Sequence, residues 1–64
     1  MIKITKLNDQ ELVINSELIV CVESTPDTTI TMTTGRKYIA KESVDDIIDS
    51  IVAFKSRFMN ITQV

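Results

Sequence analysis

With 64 residues the chain is one domain at most, and a chain of this size buries only about 60% of the surface it exposes when unfolded. It has a single cysteine, Cys21, and no histidine, which excludes an intramolecular disulfide and a structural zinc site and leaves oligomerisation as the supplement to a small core. A 44% apolar share with 25% charged residues is that of an ordinary globular domain, no apolar run reaches the ~18 residues of a membrane span, and a net charge of −2 is a poor start for binding a polyanion.

Ile2, Ile4 and Leu7, with Lys3, Thr5 and Lys6 between them, predict a first strand over about residues 2–7 that ends in the polar turn Asn8-Asp9-Gln10. The same alternation is unlike the continuous apolar stretch of a secretory signal, so a cytoplasmic protein is expected. A second short strand is predicted over 11–14, followed by a turn at Asn15 and Ser16.

The third strand, about 17–24, is unusual. Strict alternation places Leu18, Val20 and Val22 on one face and Ile19 and Cys21 on the other, so both faces are apolar. Either the sheet curls over its own side chains or a second subunit covers one face. Cys21 has no candidate base near it in sequence, and a structural role is expected for it.

Pro26 and Asp27 mark the next turn, Pro26 by its preset φ and Asp27 by its capacity to bond its own backbone. A fourth strand over about 28–34 carries Ile30 and Met32 alternating with threonines, which predicts a half-buried strand with a hydroxyl-bearing outer face. Gly35 supplies the left-handed residue of a further turn, and a fifth strand follows over about 37–41.

From Ser43 the period changes. Ser43 is a suitable N-cap, Asp46 stands three residues on, and Asp45 and Asp46 suit the positive end of the helix dipole. Val44, Ile47, Ile48, Ile51, Val52, Phe54 and Phe58 recur at spacings of three and four, so an amphipathic helix is predicted over about 44–59, with 61–64 as a frayed tail. Its apolar stripe is wide: either all of it packs on the sheet, or one edge meets another subunit or a partner, with Phe58 as an anchor. The expected fold is α+β, an antiparallel meander of about five short strands followed by one amphipathic helix packed on the sheet, all within a single domain over 1–60.

Reactive chemistry is scarce. Without histidine no Ser-His or Cys-His pair can form within the chain, and a single glycine rules out a Gly-rich phosphate loop. Asp45 and Asp49 share a helix face, but without further oxygen ligands they read as a solvated surface. The chain is expected to be no enzyme and to hold no catalytic residue, cofactor or metal. Residues 1–41 carry five basic and five acidic groups, whereas residues 42–64 set Lys55 and Arg57 against Glu42, Asp45, Asp46 and Asp49, which accounts for the whole −2.

Leu7-Asn8, Asn15 with Leu18, Val22-Glu23, Thr25-Pro26-Asp27-Thr28, Ile30, Gly35, Lys37-Tyr38 and Lys41-Glu42-Ser43, in this order and at these spacings, resemble the FlbD/SwrD family of small flagellar proteins over about residues 1–55. The family often has Leu-Asn-Gly at the first turn where this chain has Leu7-Asn8-Asp9. The resemblance implies a bacterial accessory protein that supports swarming motility, with the stator complex or its assembly as the target. It implies no catalytic residues. On physical grounds Glu23, Pro26, Asp27, Tyr38 and Phe58 are the candidate recognition residues, and a homo-oligomer is expected. The alternative is a small RNA-binding regulator of motility, because five short strands and a helix share the layout of dimeric CsrA-type regulators. A basic surface uniting Lys3, Lys6, Arg36, Lys37 and Lys41 would favour it.

Overall fold

A computed structural model describes residues 1–62, with side chains through Ser56, as an α+β fold of five strands and one C-terminal helix. The strands are β1 (Ile2–Thr5), β2 (Glu11–Ile14), β3 (Ile19–Glu23), β4 (Thr28–Met32) and β5 (Lys37–Ala40), followed by α1 (Val44–Thr62). They divide into an antiparallel β1-β2 hairpin and an antiparallel β3-β4-β5 meander. The two sheets meet where Lys6 bridges Ala40 and the Lys41 amide donates to the Thr5 carbonyl at 2.8 Å. Several strands are shorter than predicted: Lys6, as an isolated bridge, and Leu7, in a turn, follow β1, and Thr33 and Thr34 belong to the hairpin between β4 and β5.

The turn after β1 depends on one backbone angle. Asp9 has φ 68°, in the left-handed region that glycine fills at no cost and that Asn and Asp tolerate better than most residues. Its amide donates to the Lys6 carbonyl at 2.9 Å, and the Lys6 amide donates to the Gln10 carbonyl at 2.8 Å. The turn survives without glycine. Gly35, at φ 88°, serves the corresponding purpose between β4 and β5, where its amide donates to the Met32 carbonyl.

β3 corrects the alternation expected for it. Glu17 and Leu18 belong to a 3-10 turn, Ser16–Leu18, in which the Asn15 side chain accepts from the Glu17 amide at 3.0 Å and the Asn15 carbonyl accepts from Leu18. Beyond it a bulge shifts the register between Ile19 and Cys21. Ile19 and Val22, three residues apart, consequently both pack on the core, while Val20 (64% exposed) and Cys21 turn outward. The strand is thus not apolar on two regular faces: one irregular residue rotates part of the apolar set into solvent.

The core is Ile2, Ile4 and Ile14 from the hairpin, Ile30, Met32 and Ala40 from the meander, and Ile47 from α1. Ile2 pairs with Ile14 and Ile4 with Leu12 across the hairpin, and Val22, Ile30 and Tyr38 form one row across the meander. Ser43 caps α1, its hydroxyl accepting from the Asp46 amide at 3.1 Å. The helix lies chiefly against β1. It continues past residue 59 through Thr62, so part of the expected tail is helical; residues 63 and 64 lie outside the described region.

Candidate interaction surface

α1 buries a narrower stripe than its sequence offers. Ile47 is fully buried and Ile51 and Phe54 are partly so, whereas Ile48 and Val52 are 48% and 56% exposed. The exposed pair forms one row at i, i+4, outside the face that meets the hairpin. The stripe therefore does not pack on the sheet across its whole width, and within the single chain one edge is left uncovered.

Near the junction of the two sheets, segments distant in sequence converge. Glu42 accepts from the Thr5 amide at 2.9 Å and from the Thr5 hydroxyl at 2.8 Å, one carboxylate oxygen to each donor. Burial pushes its pKa up, but the Thr5 amide, the Thr5 hydroxyl and Glu42's own amide outweigh that effect and leave the carboxyl below its ordinary value of 4.5. Beside it, the Lys41 ammonium pairs with the Asp9 carboxylate. These contacts tie the first turn to the segment that leads into the helix.

Two open hollows flank the exposed Leu7. The first is lined by Leu7, Ser24, Pro26, Asp27 and Thr28, together with residues 40–43. Pro26 and Asp27 are exposed there; the Thr25–Pro26 peptide is cis, and the Asp27 main-chain carbonyl accepts from the Thr29 hydroxyl at 3.1 Å. The second hollow is lined by Lys6, Leu7 and Asn8 with residues 36–39, and the Arg36 guanidinium lies over the Tyr38 ring, 5.7 Å from its centroid.

Three of the sequence-predicted recognition residues, Pro26, Asp27 and Tyr38, therefore line hollows that share Leu7. Tyr38 is half-buried and packs on the core, so it presents only part of its surface. Glu23 stands apart on the outer face of the meander, opposite Thr29. The Phe58 side chain lies outside the described residues. Sequence reasoning missed Leu7 and Glu42. Both stand among the residues of the family resemblance, and Leu7 is also an apolar residue beside the turn Asn8-Asp9, but nothing local marked the contact of Glu42, because its partner is 37 residues away.

Of the five cations whose union would favour RNA, two are in ion pairs and three share one hollow. Lys3 lies 3.9 Å from Glu11 and Lys41 is paired with Asp9, while Lys6, Arg36 and Lys37 meet around the second hollow. Among the described residues no group of three or more His, Cys, Asp or Glu could hold a metal ion, and no helix is long and apolar enough to cross a membrane.

The fold and surface define a small α+β protein whose distinctive features are open hollows and an uncovered helix edge. The family model for FlbD, flagellar and swarming motility proteins, matches residues 1–59, and the chain belongs to that family. No curated protein and no solved structure matches it. Membership carries a role in flagellar and swarming motility.

Proposed function

We propose that this protein is a non-enzymatic accessory of the flagellar system that supports swarming through protein-protein contacts, by promoting the function or assembly of the motor and its stator. It acts in the cytoplasm, at the flagellar base, and as a homo-oligomer. The observation that carries this reading is the convergence of Leu7, Pro26-Asp27-Thr28 and Lys41-Glu42-Ser43, three separate segments of the family resemblance, around one open hollow. The lining is mixed, with Leu7 and Pro26 set among Asp27, Thr28, Lys41 and Glu42, and such a mixture of apolar and polar groups suits a protein contact.

The test is a tagged pull-down with cross-linking from motile cells, scoring stator and rotor proteins, RNA and self-association together, for the native chain and for Leu7→Asp. Recovery of stator or rotor proteins by the native chain, reduced at least tenfold by Leu7→Asp, is the expected result. Recovery of specific transcripts, lost when Lys37 and Lys41 are replaced by Glu, would overturn the reading in favour of an RNA-binding regulator.

A further inference from the structure

The second hollow and the uncovered edge of α1 are opposite in charge and alike in apolar content. Lys6, Arg36 and Lys37 surround the hollow, no carboxylate lines it, and none of the three is in an ion pair among the described residues. Leu7 and Ile39 give it exposed apolar walls. On α1, Asp45 and Asp49 are exposed and precede Ile48 and Val52 by three positions each, so each aspartate adjoins an exposed apolar residue on the helix surface; Lys55 closes the far end of the row.

From this complementarity we infer that the chain associates with itself by seating the acidic edge of α1 of one copy, Ile48 and Val52 bordered by Asp45 and Asp49, in the basic hollow of another copy. The contact joins unlike surfaces, so it closes either reciprocally in a pair or head to tail in a ring. Two identical helix edges packed in parallel would instead bring their aspartates together, and packed antiparallel they would leave the three cations of the hollow unpaired. Apolar burial supplies the affinity, and the opposed charges supply register and rate of encounter. An RNA backbone is a weaker candidate for the same hollow. The Tyr38 ring, a stacking platform in single-strand binders, is partly buried and has Arg36 over it, and the whole chain carries −2. This inference deepens the interaction-protein reading and rests on it, yet its test uses the purified chain alone and can fail while the flagellar role stands.

The experiment is sedimentation analysis of the full chain and of two charge-reversal variants, Arg36→Glu/Lys37→Glu and Asp45→Lys/Asp49→Lys, with circular dichroism to verify folding. The native chain is expected to self-associate below about 1 mM, and to do so more slowly and somewhat more weakly as salt shortens the Debye length from about 10 Å toward 3 Å. Each variant alone is expected to weaken association at least tenfold, because it carries two like-charged surfaces. An equimolar mixture of the two is expected to recover it, because every contact is then opposite in sign. Asp49→Lys alone and Lys37→Glu alone give the same comparison where a double variant fails to fold. A native chain that stays monomeric up to about 1 mM, or variants that associate as the native chain does, would overturn the inference. So would binding of an RNA oligonucleotide to the hollow in place of the second copy.

Discussion

Thr5 holds Glu42 through two hydrogen bonds, its amide and its hydroxyl each donating to a different carboxylate oxygen at 2.9 and 2.8 Å across 37 residues of sequence. Glu42→Gln keeps the shape but replaces the charged acceptor and points an amide at a donor, so it should lower stability by about 1 kcal/mol, less than the ~1.5–3 kcal/mol of a charged hydrogen bond because solvent reaches the pair. In a domain this small that is roughly 4–8 °C in Tm. Thermal denaturation of Glu42→Gln, Thr5→Val and the double variant tests it: the double variant should cost less than the sum of the two single ones.

The same pair makes stability depend on acid. The folded-state pKa of Glu42 lies below its ordinary value of 4.5, so the unfolded chain binds this proton first as pH falls. The contribution is fully present above that ordinary value and is lost as pH falls through the lowered one. Denaturant midpoints measured from pH 6 downward should therefore drop less for Glu42→Gln than for the native chain.

Ile47 and Ile48 are adjacent in sequence and opposite in environment, fully buried and 48% exposed. Ile47→Ala should cost about 2–5 kcal/mol and leave the fold near its limit, whereas Ile48→Ala should change monomer stability by no more than about 1 kcal/mol. Urea titrations of the two variants distinguish them. Equal costs would mean that the helix is rotated from the orientation described.

Ser43→Ala removes the acceptor for the Asp46 amide and should cost about 1 kcal/mol, read as a lower midpoint and a reduced helical signal at 222 nm.

The two left-handed residues should respond differently to substitution. Gly35→Ala places a Cβ where nothing lies within 4 Å, so its cost, about 1 kcal/mol, comes from the backbone at φ 88° alone. Asp9→Gly relieves the backbone at φ 68° but gives up the Lys41 pair and frees the unfolded chain, so its net effect should stay within about 1 kcal/mol. Asp9→Val, β-branched at a positive φ, should destabilise more than either. Melting temperatures of the three variants provide the comparison.

Local signals in the sequence were sufficient for the α+β class, the strand-rich first part and the capped helix. Alternation at Ile2 and Ile4, glycine at a turn, serine before an amphipathic run and the order of the family residues all act through neighbours a few positions apart. They also pointed to Pro26, Asp27 and Tyr38, though not to what these residues share. Only tertiary structure decided that the strands form two sheets joined at Lys6 and Ala40, that a bulge brings Ile19 and Val22 to the same face, and that Ile48 stays in solvent while Ile47 is buried. The clasp of Glu42 on Thr5, and the meeting of Lys6 with Arg36 and Lys37, belong to the same class. The physical reason is that each of these depends on partners about ten to forty residues away in sequence or on the limited width of a hairpin that one helix can cover, and neither quantity is written in a local period.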